Sequence, residues 1–455
     1  MTFTTPATRM MERTRAFREV HNLAVHLKKF VKEHELEECI QLLEGTIFAE
    51  TLNAMVYADR IINQYPFERV IKIMAGVLSF WDSLLAQVRP DTIVGEIACA
   101  TEWVGYCVAQ TLNITYLVPY PTPVANRVFF ARSPQGNWGA AEHAYQELKG
   151  KDLTPEQLKI AEVFLNAFRA KKIMHPGLAW GLRTPLHLDV SQVARRVSRI
   201  PFRIQTYLED GYFEVGSYHG TPPWEPIWHD FVRILRHIAH ERFVFETSIP
   251  GGRRAYFPLH MQPEYTTDVR APFYTNQCAL VENIAKSVPI GYRVLVKEHP
   301  GMKGERKLSY YRQFRNFYNV ELLSPSVDGH DLILSSDVNL TISGTTAWES
   351  ILYEKPVIAL GPLCYGYFDL VYQCKNVTEL PDLIAEAIRN FRPNRTLLLK
   401  FIWSFLDTAH TFRWGDAIGD PGVLESENLE KIGNAILFEA KSGSDVRADP
   451  ISMSL

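Results

Sequence analysis

Several common signatures are missing from this chain of 455 residues. It has no GxxxxGK[ST] loop and no GxGxxG fingerprint, so the P-loop and dinucleotide-binding readings lose their main support. Its six cysteines, Cys39, Cys99, Cys107, Cys278, Cys364 and Cys374, form no CxxC pair and sit among apolar neighbours. That pattern points to reduced, buried thiols and away from a structural zinc. Excess positive charge is also absent. A net charge of −3 argues against bulk nucleic-acid binding, which needs a basic face. No apolar run approaches the eighteen or so residues of a membrane span. The opening MTFTTPATRMMERTRAFREV lacks the apolar core of a secretory signal, so a cytoplasmic location is expected. What remains is a chain that is 46% hydrophobic, enough for a sizeable core and two or three domains.

The most informative stretch runs from Tyr292 to Pro362 and contains YRVLVKEHPG, NVELLSP and DVNLTISGTTAWESILYEKPVIALGP. Short runs of Val, Ile and Leu stop at small or polar residues, with helical segments between them. Each run reads as a buried parallel strand and each stop as a loop at a strand's carboxyl end. From Arg254 onward strand and helix alternate, with strands expected near 254–260, 292–297, 320–323, 338–342 and 356–360. This pattern predicts a doubly wound parallel sheet, which binds ligands beyond the carboxyl ends of its strands.

The first half is less regular. Residues 15–48 and 67–88 read as helices, although CIQLLEG also suits a strand. Asp91–Glu96 as strand, Thr101–Leu112 as helix and Ile114–Val118 as strand form a βαβ unit. Turn residues after Pro119 close that unit, helix returns over 140–171 and 226–241, and the segment between is punctuated by Gly, Pro and aromatics. Residues 396–438 read as helical, and the polar tail as disordered. The expected domains are 1–250, with a helical insertion, 251–395, and a C-terminal helical segment 396–455. Two α/β halves imply a cleft between them.

Candidate functional residues lie where these strands end. Ser343, Gly344, Thr345 and Thr346 open a helix, where unpaired N–H groups and the helix dipole favour a phosphate and Gly344 allows close approach. Ordinary capping by Ser or Thr is the plainer reading. Glu349, one turn on, suits either ribose hydroxyls or the helix dipole. His299, aimed by Pro300, can donate to a phosphate, or simply bond a carbonyl. Lys297 adds positive charge beside it. Gln262 and Glu264 follow another strand and suit base or sugar contacts, or a plain turn. Glu96 ends the clearest strand of the first half. It is a candidate general base or nucleophile, or a carboxylate paired with Arg127. Asp210, in LEDGYF, is a second catalytic candidate that a turn explains equally well.

FPLHMQPEYTTDVRAPFYTNQ, VKEHPG, NVELLSP and ISGTTAWESILYEKPVIALG together resemble the capsule polysaccharide biosynthesis proteins, which are glycosyltransferases including Kdo transferases. The likeness is strongest over Tyr256–Gly361 and weaker over Asp91–Arg132. It implies the GT-B architecture, in which two Rossmann-type domains with parallel sheets face each other across a cleft. It also implies a nucleotide-sugar donor, CMP-linked in preference to UDP-linked, held by His299, Ser343 and Thr345 with Glu349 at the ribose. The acceptor would be a capsular or other surface glycan or glycolipid, and a lipid-linked acceptor would bring the enzyme to the inner face of the membrane. No cofactor or metal is required, because a helix start and a histidine stabilise the leaving phosphate. Other roles open to such a chain are nucleotide-sugar epimerisation, polyol-phosphate transfer and non-catalytic scaffolding in capsule assembly.

Overall fold

A computed structural model describes residues 23–59, 61–134, 136–171, 201, 204, 225–366, 369–415 and 420–442. Asp210 and its neighbours Glu209 and Gly211 lie outside the described residues, as does the polar tail. The chain forms two compact units. One comprises residues 1–93, 97–116 and 185–234, and the other 94–96, 117–184 and 235–455.

The described part of the first unit is mainly helical. CIQLLEG lies largely within the Leu36–Glu44 helix, so its strand alternative fails. The Phe67–Val88 helix is long and apolar enough, by length and composition, to cross a membrane. This corrects the expectation that no segment approaches a span. In the fold half of its apolar stretch is buried, with Ile73, Met74, Val77 and Trp81 in the core. The Ala100–Thr111 helix carries Gly105 against Trp81, where an added Cβ would come within 2.1 Å of the indole. The indole N–H in turn donates to the Thr101 carbonyl at 2.7 Å. All six cysteines are buried and none is in a disulfide.

Strands β1 (Thr92–Val94), β2 (Thr115–Pro121), β3 (Arg127–Ala131) and, far along the chain, β10 (His410–Thr411) form a four-stranded sheet of order β1-β2-β3-β10. Its strand–helix–strand opening is the expected one. Its extension is not: β2 and β3 form an antiparallel pair, Val118 opposite Ala131, and β3 also runs antiparallel to the two-residue β10 (His410–Thr411). The turn residues after Pro119 therefore make a hairpin and do not end the unit. Leu117, Val128, Phe130, Phe412 and Ala435 fill one face of it.

The larger sheet lies wholly in the second unit. It consists of β4 (Arg253–Pro258), β5 (Tyr292–Lys297), β6 (Val320–Leu323), β7 (Val338–Thr341), β8 (Val357–Ala359) and β9 (Val371–Gln373). All pairs are parallel and the order is β6-β5-β4-β7-β8-β9. Along the chain this is 3-2-1-4-5-6, so the winding reverses between β4 and β7. Both faces are covered, which is why the strands read as continuous apolar runs. Ala255, Phe257, Val294, Val296, Leu340 and Ile358 pack on one face with the Gln277–Ser287 and Leu380–Asn390 helices. Tyr256 and Leu295, one residue out of phase, face Leu332 and Ile333 on the other.

Candidate functional site

The carboxyl ends of β4 and β7, on either side of the reversal, open onto a cavity of about 290 Å³. Both α/β topology and the two loops place the site here. His260, Met261 and Glu264 come from the loop after β4, and Ser343 to Thr346 with Glu349 come from the segment after β7. His299 and Gly301 enter from the loop after β5. Every lining residue belongs to the second unit.

The Thr345–Leu352 helix begins with Gly344 as its cap residue, and no side chain caps it. Capping by Ser343 or Thr345 is thus replaced by another arrangement. The Ser343 hydroxyl donates to the Thr266 carbonyl at 2.6 Å, tying the β7 loop to the β4 loop. Thr345 bonds the Glu349 carboxylate one turn on. The Gly344 N–H donates to Thr341 Oγ1 at 3.2 Å and the Ala347 N–H to the Gly344 carbonyl at 3.3 Å. The N–H groups of Thr345 and Thr346 have no intrahelical acceptor, and both residues line the cavity. Gly344 is required on steric grounds as well. An added Cβ would stand 2.7 Å from Nε2 of His260, a buried ring that also contacts Thr341 Oγ1 at 3.1 Å. Burial, reinforced by nearby His299 and Arg306, depresses the His260 pKa to about 3, so this ring is neutral.

His299 caps the short turn Pro300–Met302, its Nδ1 accepting the Gly301 N–H at 3.0 Å. An accepting Nδ1 puts the proton of the neutral ring on Nε2, which makes that nitrogen a hydrogen-bond donor. The preceding Glu298 is buried and accepts from the His299 N–H at 2.6 Å and from the Tyr311 hydroxyl at 2.5 Å. It holds the loop in place.

Glu349 lines the cavity. Burial raises its pKa to about 7, against the lowering effects of the Thr345 hydrogen bond and the charge of Lys297. Lys297 is buried, does not line the cavity, and donates to the Glu298 carbonyl at 3.3 Å. Burial lowers its pKa to about 8, with Glu298 and Glu349 opposing the shift. Its charge therefore reaches the cavity through Glu349. Glu264 lines the cavity, accepts from Thr266 Oγ1 at 2.8 Å, and has its pKa raised by burial. Gln262 stands apart. Its amide donates to the Thr275 carbonyl at 2.9 Å and accepts from Gln277 at 2.6 Å, which shapes the loop.

Glu96 is exposed and is not part of the lining. It accepts from Trp414 Nε1 at 3.2 Å, and its charge is among the causes that raise the pKa of Tyr265. The alternative partner Arg127 is engaged elsewhere, donating to the Leu406 and Ala409 carbonyls.

Residues that sequence reasoning missed complete the walls. Tyr120, Pro121 and Pro123 come from the β2–β3 hairpin, Trp138 from the segment beyond it, Arg270 from the loop after β4, and Cys364 and Tyr365 from the loop after β8. Arg270 Nη1 donates to the Tyr120 hydroxyl at 2.6 Å, and Tyr265 donates to the Pro134 carbonyl. Behind the cavity Trp348 is buried against Trp138, Phe401 and Phe405, at ring separations of 5.6, 5.4 and 4.9 Å. This aromatic cluster anchors the helix whose start faces the cavity.

No family model and no curated protein matches the chain. Among solved structures it is similar to KpsC of Thermosulfurimonas dismutans, a β-Kdo 2,4 transferase, at 16% identity and a TM-score of 0.38 over 69% of this chain and 78% of that one. It is also similar to the β-Kdo 2,7 transferase of KpsC from the same organism, at 9% identity and a TM-score of 0.38 over 72% and 79%. A third likeness is to the UDP-GlcNAc 2-epimerase of Methanocaldococcus jannaschii in complex with UDP-GlcNAc and UDP, at 13% identity and a TM-score of 0.28 over 74% and 81%. These likenesses are too distant to assign chemistry to this chain.

Proposed function

We propose that this protein is a glycosyltransferase of the GT-B type that takes a sugar from a nucleotide-sugar donor, CMP-linked in preference to UDP-linked, and passes it to a surface glycan or glycolipid. The observation that carries this reading is the cavity at the winding reversal between β4 and β7, where a helix start, His299 and Glu349 converge. Such a helix start stabilises the charge that develops on a departing phosphate. An Nε2–H donor on His299 adds a second stabilising contact, and together they do electrostatically what a bound cation does elsewhere. Glu349, partly protonated near neutrality, suits the ribose hydroxyls as acceptor or donor. Glu96 or Asp210 would serve as base or nucleophile toward the acceptor. A lipid-linked acceptor would bring the enzyme to a membrane surface.

A thermal-shift screen with cytidine, uridine, guanosine and adenosine mono- and diphosphates, on the wild type and His299→Ala, tests the reading. A specific ligand raises the melting temperature by mass action. We expect stabilisation by cytidine monophosphate that is weakened in the variant. Stabilisation by uridine diphosphate instead would keep the transferase and change its donor class. No shift with any nucleotide, backed by direct titration, would contradict the proposal and favour a scaffold. Incubation with a donor and no acceptor separates transfer from epimerisation, because only an epimerase interconverts the free sugar nucleotide.

A further inference from the structure

The cavity lining carries positive charge from two sources with different neighbours. One is the helix start at Thr345 and Thr346 with His299 beside it. The other is Arg270, which comes from the loop after β4 and shares its wall with Tyr120, Cys364 and Tyr365. Arg270 is only 4% exposed. The contacts that hold its guanidinium include Nη1 donating to the Tyr120 hydroxyl at 2.6 Å and Nη2 to the Pro362 carbonyl at 3.1 Å. It lies 5.4 Å from the centre of the Tyr120 ring. A guanidinium stays charged at any pH the fold tolerates, and its planar fork matches a carboxylate or a phosphate. The β2–β3 hairpin on one side and the β8 loop on the other fix it among the lining residues. The helix start serves one anionic group, and Arg270 is placed for another.

Resting on the reading of this cavity as a nucleotide-sugar donor site, we propose that Arg270 binds a second anionic group of the donor, a carboxylate on the sugar or a second phosphate. Arg270 thereby selects donors that carry two anions over those that carry one. The neutral Tyr120 hydroxyl acts as a positioning group, holding the guanidinium in plane.

The test is calorimetric titration of the full-length protein with CMP, CDP, UMP, UDP and CMP-N-acetylneuraminate, on the wild type, Arg270→Gln and Arg270→Lys. In the wild type at least one ligand with a second anion should bind roughly ten- to hundredfold more tightly than its parent monophosphate, the range expected of a charge-assisted pair. Arg270→Gln should erase that advantage, bringing the two affinities within about threefold of each other, since the charged contact made only by the second anion is removed. Arg270→Lys, which keeps the charge and loses the fork, should retain part of the advantage and guards against a failure of the glutamine variant to fold. An advantage confined to CMP-N-acetylneuraminate identifies the group as a carboxylate, and one confined to CDP or UDP identifies it as a phosphate. An advantage that survives Arg270→Gln, or that no ligand shows in a wild type that binds monophosphates, overturns the inference alone. A wild type that binds no nucleotide overturns the proposed function together with it.

Discussion

The two sides of the cavity are built on different principles. The helix-start side grows from β4, β5 and β7, neighbouring strands of a parallel sheet covered on both faces. Its groups are short extensions of that sheet: His260 and His299 follow β4 and β5 within two residues, and Ser343 follows β7 within two. The opposite side is assembled from a hairpin, a loop and a long return, with Tyr120 and Arg270 meeting 150 residues apart in sequence. On the proposed function, the sheet side would seat the phosphate and the assembled side would decide what else fits.

Substitutions should separate the two sides by size of effect. The largest is expected behind the sheet side. Trp348→Ala should cost about 3–5 kcal/mol in urea unfolding, the usual result of emptying a buried aromatic site. A loss below about 1 kcal/mol would mean that the aromatic cluster does not anchor the helix. Gly344→Ala comes next. Its Cβ must displace the buried His260 ring, so about 1–3 kcal/mol of overpacking is expected, together with weakened nucleotide binding. Unchanged melting and binding would show that the close approach is not maintained in solution.

Glu349 and Lys297 give the sheet side a pH signature. The folded pKa of Glu349 is raised to about 7, so its contribution to stability is fully present below its ordinary value near 4.5 and is lost as pH rises through 7. Lys297 is lowered to about 8 from an ordinary 10.5, so the folded state binds fewer protons than the unfolded one in between, and stability recovers as pH rises from 8 to 10.5. Unfolding free energy measured against pH should therefore fall from 4.5 to 7 and rise again above 8. Glu349→Gln should flatten the fall and Lys297→Met the rise. The assembled side should give a smaller effect than Trp348→Ala. Tyr120→Phe removes one hydrogen bond to the buried Arg270 guanidinium and should cost about 1.5–3 kcal/mol in the same unfolding experiment. A larger loss would make this wall as structurally committed as the other.

The same contrast explains what could be read from sequence. β5 and β6 fall on the expected residues because Val294, Leu295 and Val296 and, next to them, Leu322 and Leu323 are buried, leaving short apolar runs bounded by polar residues. The candidate positions Glu264, His299, Ser343 to Thr346 and Glu349 come together because they follow such strands directly. The hairpin was obscured by Pro119, Pro121 and Pro123, which read as turn residues although β2 runs to Pro121. β9, three partly exposed or exposed residues, and β10, only two residues long, carry too little pattern to register. Arg270 gave no local signal, since its role depends on a tyrosine and a carbonyl brought to it by tertiary structure.

The most direct test of the central claim is a crystal structure of the protein soaked with cytidine monophosphate. The account predicts the phosphate at the start of the Thr345–Leu352 helix, with oxygens about 2.7–3.2 Å from the Thr345 and Thr346 nitrogens and from His299 Nε2. A nucleotide whose phosphate lies away from that helix start, or an empty cavity at saturating ligand, would contradict it.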